Sequence, residues 1–128
     1  SNTQIIDNQN GTRSGNTLIG IDLADVKHIY IGSFGDHPLN EGLRNNIITK
    51  ISASGRLNVV TDLNNADAVL KGSIMQDNHI SVKLINRPGI VLWAKDIDIN
   101  SKADFVESAA TTITSQLLKD INEARPES

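Results

Sequence analysis

The sequence contains no cysteine, which excludes a disulfide framework and a thiolate metal site. Aromatic residues make up only 3% of the 128 residues, so a core has to be built from aliphatic side chains. No apolar run reaches the roughly 18 residues of a transmembrane helix. There is no basic excess either: the net charge is −3, whereas a nucleic-acid partner normally requires a basic face. These absences predict one globular domain that does not bind nucleic acid.

Sequence motifs for catalysis are also missing. The three histidines lie in different segments at no metal-ligand spacing. The segment "GSFGDHP" at 32–38 places glycines before a predicted helix, as in an anion site, but no Gly-Lys-Ser/Thr follows as in a phosphate-binding loop. The sequence therefore predicts a protein that is not an enzyme and that holds no metal or cofactor. A small enzyme using Asp36 or His37 of this loop is the minor alternative.

Three segments are expected along the chain. Residues 1–18 are mostly Asn, Thr, Ser, Gln and Gly, which predicts a flexible leader or tether. A single domain is expected over 19–124, followed by a disordered tail at 125–128. The opening "SN" resembles a remnant of tag removal, so the lack of a visible export signal is no argument for a cytoplasmic protein.

Two amphipathic helices are predicted. Apolar residues recur at helical spacing from Leu39 to Ile51, and Gly55 suits a left-handed C-terminal cap, so the first helix should span about 39–54. A second apolar stripe predicts a helix over about 103–124. Because each helix is apolar on one face only, both should pack on the same side of a sheet.

The remaining segments predict strands. The first is "VKHIYIGSF", with "IGID" at 19–22 pairing with it or extending it, and the second is the short "RLNVV". Three longer runs follow at 66–75, 79–85 and 90–99, separated by turns, which favours an antiparallel meander. The predicted fold is therefore α+β: a two-layer sandwich of two helices on one side of a mostly antiparallel sheet of four or five strands, in the order β-α-β-β-β-β-α.

Basic residues on the predicted meander form the first candidate site. Lys71 and Lys83 alternate out of phase with the apolar residues that should face the helices, so they belong on the open side of the sheet. Lys95 shares its face with Trp93, which leaves its side undecided. If the strand register brings these lysines together with Arg87, they form a basic strip for a phosphorylated sugar or another anion. The alternative is that isolated lysines keep an open sheet soluble.

Apolar residues on the meander form the second candidate, a partner-binding surface made of Val69, Val91 and Trp93. An exposed apolar patch on a small domain usually marks an interaction site, and tryptophan is a common anchor in such sites. The alternative is that Trp93 packs under a helix or against the leader.

The motifs "GRLNVV", "ADAVLKGSI" and "GIVLWAKDI" together resemble a recurring pattern in bacterial envelope lipoproteins. The pattern covers about residues 27–122 and is most similar to the lipopolysaccharide-assembly lipoprotein (LptE) family. It is also similar to the group of the curli-secretion lipoprotein, the peptidoglycan-synthase activator lipoproteins and the TolB amino-terminal domain. That group usually carries an extra helical segment where this chain has only "TDLNN", which favours the first family.

This resemblance implies a non-enzymatic, periplasm-facing domain, anchored to the outer membrane only through a lipid. It implies an accessory subunit of an outer-membrane assembly machine, with a β-barrel protein as partner, lipopolysaccharide transport as the process and lipopolysaccharide as a possible ligand. The alternative is a secretion-channel or synthase-activator lipoprotein that self-associates or binds a protein partner.

Overall fold

A computed structural model describes residues 21–100 and 104–125. These residues contain five strands and two α-helices in the predicted order, which confirms the α+β fold. In chain order the elements are β1 (His28–Ile31), α1 (Asn40–Ser54), β2 (Asn58–Val59), β3 (Ala68–Met75), β4 (His79–Asn86), β5 (Val91–Asp98) and α2 (Phe105–Ala124).

The strands form one mixed sheet in the spatial order β2-β1-β3-β4-β5. Strand β1 is parallel to both β2 and β3, whereas β3, β4 and β5 pair antiparallel as the predicted meander. A parallel crossover usually needs a dozen or more residues. The link from β2 to β3 is shorter than this. Because β2 is only two residues long, the chain has only a short distance to run back before it starts β3 parallel to β1.

Both helices cover the same face of the sheet. In α1 the buried residues are Leu43, Ile47 and Ile51, one turn apart on one side of the helix. In α2 the buried residues are Phe105, Ala109, Ala110, Ile113, Thr114, Leu117, Leu118 and Ile121. The two helices also contact each other, and Lys50 Nζ lies 2.7 Å from Glu107 Oε2 across their interface. Neither α1 nor α2 packs on the other face of the sheet.

Two details hold the sheet in register. The turn at Gln76–Asn78 ends with Asn78 at φ 60°, a left-handed conformation that asparagine tolerates, and Met75 then pairs with His79.

The second detail is a side-chain contact. Immediately before β3, Asp67 Oδ2 accepts hydrogen bonds from the backbone N–H groups of Lys27 and His28, at 3.0 and 2.9 Å. Burial opposes ionisation there, yet these bonds hold the pKa of Asp67 below its usual range. Asp67, the residue just before β3, thus connects this end of the strand to β1.

The element ends differ slightly from the predicted ones. Helix α1 begins at Asn40, and the αL conformation of Gly55 ends it as predicted, with φ 70°. Residues 19–20 of the predicted "IGID" strand and the leader at 1–18 lie outside the described residues, and Ile21 and Asp22 are not in a strand. Arg125, placed by the sequence in the tail, donates from its guanidinium to the carbonyl oxygens of Ala24 and Val26.

None of the helices in the described residues combines the length and hydropathy that a bilayer-spanning segment requires.

Candidate functional site: the open face of the sheet

The side of the sheet that carries neither α1 nor α2, called the open face below, is ordered in rows that cross the strands. Paired residues on neighbouring strands share a face, so the registers define each row. The four rows are Tyr30–Val69–Ile85–Val91, Lys71–Lys83–Ala94, Ser73–Ser81–Asp96 and Met75–His79–Asp98. The open face therefore changes from apolar at one end, through basic in the middle, to acidic and histidine-containing at the other end.

The apolar row ends in an exposed edge. The side chain of Val91 is 50% exposed and that of its neighbour Ile90 58%. Simple alternation would put Val91 on the same face as Trp93, but the register slips between Leu84 and Ile85, so that Leu84 pairs with Trp93 and Ile85 with Val91. This bulge leaves one extra residue in β5 and turns Val91 onto the open face beside Val69.

Trp93 lies under α2, which is the alternative to an exposed binding residue that the sequence analysis gave. Its residue is 6% exposed, and its indole N–H donates to Asp120 Oδ2 at 2.7 Å. Of the three residues in the predicted partner surface, the structure therefore brings Val69 and Val91 together on the open face and places Trp93 on the opposite side.

The four predicted basic residues also separate. Lys71 and Lys83 face each other across β3 and β4 on the open face. Lys95 lies on the helix side, where its Nζ is 3.5 Å from Asp120 Oδ2. Arg87 follows β4 and donates to the carbonyl oxygens of Asn64 and Ala66, at 3.0 and 3.2 Å. Only the lysine pair forms a compact basic site; Arg87 anchors the loop before β3 at the rim of a cleft of about 260 Å³.

The structure adds two serines that the sequence reasoning missed. Ser73 and Ser81 form the row next to the lysine pair and line the same groove. Their signal was present in the sequence: Ser73 and Ser81, like Lys71 and Lys83, are equally far from the middle of the "QDN" turn. A hairpin centred on that turn pairs residues at equal distances from it.

Polar groups in the loop at 32–38 form hydrogen bonds with residues at the start of α1. The backbone N–H of Phe34 donates to Asn40 Oδ1 at 2.6 Å, and that of Leu39 donates to His37 Nδ1 at 3.0 Å. These bonds connect β1 to α1. No group of three or more His, Asp or Glu side chains in the described ranges is arranged to hold a metal ion.

Similar solved structures include the following two. A PelC dodecamer variant from Paraburkholderia phytofirmans has a TM-score of 0.48 and 17% identity, over 80% of this chain and 92% of PelC. The solution structure of an uncharacterized lipoprotein B from Nitrosomonas europaea has a TM-score of 0.39 and 13% identity, over 84% and 83% of the two chains. No protein-family model and no curated protein matches the sequence. The likeness to the two structures concerns the chain's overall course and says nothing about a shared ligand.

The contact between Trp93 and Asp120 leads to a stability prediction. The hydrogen bond from Trp93 holds the pKa of Asp120 below its usual range; burial opposes this shift, and the nearby Lys95 supports it. Asp120→Ala should lower the free energy of unfolding by about 1–3 kcal/mol, because a nearly buried indole N–H loses its acceptor. Urea unfolding followed by the fluorescence of Trp93, the one tryptophan of the chain, measures this.

The pH dependence of Asp120 has a defined sign. Because its pKa is lowered in the folded state, its stabilising effect is complete above about 3.8 and is lost as the pH falls through the folded value. Asp120→Asn keeps an acceptor for the indole and should therefore cost less than Asp120→Ala, without this acid dependence. Glu123→Ala, which removes only an exposed pair with Lys119, should change stability by less than about 0.5 kcal/mol. Equal losses in Asp120→Ala and Glu123→Ala would contradict the role given to Asp120.

His79 leads to a second pH prediction at the acidic end of the open face. Its Nδ1 lies 2.7 Å from Asp98 Oδ1, and its Nε2 lies 3.9 Å from Asp96 Oδ1. The hydrogen bond to Asp98 raises the pKa of His79 above 6.5, against a smaller opposing effect of desolvation. The stabilisation is complete below about pH 6.5 and disappears as the pH rises through the folded value. In an NMR titration, Asp98→Asn should lower the pKa of His79 more than Asp96→Asn does; an unchanged pKa would contradict the pairing.

Proposed function

We propose that this chain is the folded part of a periplasm-facing lipoprotein of the bacterial envelope, which works by binding and not by catalysis. Its role is that of an accessory subunit of an outer-membrane assembly machine, and the machine is that of lipopolysaccharide transport. The protein partner is an outer-membrane β-barrel, and the contact is made through the open face. Membrane association comes from a lipid anchor.

The observation that carries this proposal is the face of the five-stranded sheet that neither α1 nor α2 covers. A sheet of this kind usually buries one face and solvates the other, so a solvated face should be polar throughout. Here the row Tyr30–Val69–Ile85–Val91 crosses four strands without a charged residue, and Val91 is half exposed. An apolar row at the margin of a polar surface is a typical protein-binding feature.

The ordering of the rows also fits a glycolipid. The apolar row lies next to the paired lysines, so apolar and cationic groups are adjacent on one surface. A phosphorylated glycolipid has the matching arrangement, with acyl chains beside charged phosphate groups. By contrast, in the loop at 32–38, which contains Asp36 and His37, the imidazole of His37 accepts a hydrogen bond from the backbone of Leu39 and so helps to connect β1 to α1.

The test is a detergent pull-down of the tagged protein from its native membranes, with bound proteins quantified by mass spectrometry. We expect one outer-membrane β-barrel in near-equal amount, and we expect Val91→Asp to abolish its recovery. Leu39→Asp is the matched control, because Leu39 is also an exposed apolar residue but precedes α1, away from the open face. Recovery of the protein only as an oligomer of itself would favour the self-associating alternative, and recovery as a monomer would reject both.

A further inference from the structure

The lysine pair on the open face has no carboxylate partner in the part of the chain that the structure describes. Lys71 and Lys83 are direct cross-strand partners, which places their Cβ atoms about 4.5–5.5 Å apart and makes two like charges mutually destabilising. In residues 21–100 and 104–125, no carboxylate lies within ion-pair distance of either lysine. Lys50, Lys95 and Lys119, by contrast, each have a carboxylate partner. Among the described residues, the sheet thus holds two positive charges together with no carboxylate paired to either.

A groove of about 400 Å³ lies at this pair. Its lining residues are Ser33, Gly35, Lys71, Gly72, Ser73, Ser81 and Lys83. The hydroxyls of Ser73 and Ser81 form no hydrogen bond with another residue of the described part, so they are available as donors to a ligand. Pockets for small ligands occupy about 300–1,000 Å³, and this groove is therefore large enough for more than a bare ion.

We propose that Lys71 and Lys83, with Ser73 and Ser81, bind the phosphate group of a phosphorylated sugar. A phosphate monoester carries a charge of about −1.5 to −2 at neutral pH, which matches two ammonium groups, whereas a carboxylate would leave one of them uncompensated. The serine hydroxyls donate to the remaining phosphate oxygens or to the sugar, and the rest of the groove holds the sugar ring. This inference assigns a ligand class to the open face. It rests on the proposed function only for the source of that ligand, a glycolipid of the envelope.

Asp96 lies at the edge of the site, and neutralising it should have the opposite effect on phosphate binding from neutralising a lysine. It lies in the row of Ser73 and Ser81, directly across from Ser81, and its side chain is 70% exposed. Its negative charge at the rim opposes an incoming phosphate, and Lys83 on the neighbouring strand lies between it and Lys71. Asp96→Asn should therefore strengthen phosphate binding, whereas neutralising either lysine should weaken it.

The experiment is a titration of the purified protein with glucose 1-phosphate, followed by calorimetry and by amide chemical shifts. We expect the shifts to concentrate at 71–73 and 81–83, and we expect neutral glucose to produce none. The double variant Lys71→Gln/Lys83→Gln should weaken binding about tenfold or more, because it removes two charged hydrogen-bond donors. As a control, Lys119→Gln removes a positive charge from the exposed side of α2, away from the groove, and should leave the affinity unchanged.

A second arm distinguishes the source of the phosphate. Phosphatidylcholine vesicles with and without lipid A are compared in a sedimentation assay; binding that requires lipid A and is lost in the double variant assigns the site to a glycolipid. Binding of glucose 1-phosphate alone assigns it to a soluble sugar phosphate. The proposal is overturned if neither probe binds, or if the double variant binds as well as the parent protein. Since neither arm contains a β-barrel, failure of the pull-down and failure of this site are separate results.

Discussion

Leu117→Asp is expected to unfold the domain. Leu117 is fully buried in the stripe with which α2 covers the sheet, and a carboxylate at this position would be removed from water without a partner. Such a substitution belongs to the class that costs about 4–5 kcal/mol or more, against a total stability of about 5–15 kcal/mol for a domain of this kind. Circular dichroism during thermal unfolding should show loss of the cooperative transition.

Two further variants make this prediction specific. Leu117→Ala removes the packing without adding charge and should cost about 2–5 kcal/mol, leaving a folded protein with a lower melting temperature. Gln116→Asp introduces the same carboxylate one residue earlier, on the exposed side of α2, and should melt close to the parent protein. Cooperative melting of Leu117→Asp near the parent temperature would contradict the packing of α2 against the sheet.

Gly72→Ala is expected to be nearly as damaging as the charged substitution. Gly72 lies in the middle of β3 and pairs with Val82. A Cβ added there would overlap the carbonyl oxygen of Ser81 and approach the Cα of Val82 to 3.0 Å. Both neighbours are backbone atoms of the paired strand, so they cannot move aside like a flexible side chain, and β3 and β4 would have to separate locally. We expect a loss of more than about 3 kcal/mol, as for other overpacking substitutions that shift the backbone.

Gly42→Ala is the matched control for this prediction. Gly42 lies in α1, where a Cβ would meet only the methyl groups of Val106 at 3.8 and 3.9 Å, an ordinary contact. Alanine is about 0.5–1 kcal/mol better than glycine inside a helix, so this variant should be more stable than the parent protein. Urea unfolding of both variants gives the comparison. A Gly72→Ala protein as stable as the parent would show that the two strands do not approach as closely as described.

The candidate site was predictable in part. The alternation of Lys71 and Lys83 with the apolar residues of their strands correctly placed both on the open side, because side chains alternate along any strand. The same reasoning could not place Val91, since one extra residue at the bulge beside Leu84 reverses its side, and nothing local in "GIVLW" marks that bulge. It could not separate Lys95 and Arg87 from the pair either, because their partners, Asp120 and the carbonyls of Asn64 and Ala66, come from distant parts of the chain.

The sequence by itself determined the elements and their order, since helical stripes, strand alternation and turn residues are local properties of 10–20 neighbouring residues. It also excluded disulfides, because there is no cysteine. Only the tertiary structure decided which strands β1 joins, that the register slips between Leu84 and Ile85 so that Val91 stays exposed, and that Trp93 lies under α2. These outcomes depend on strand register and on packing between separate elements; Trp93 and Asp120, for example, are 27 positions apart. The free energy that selects them appears only when the sheet and both helices are in contact.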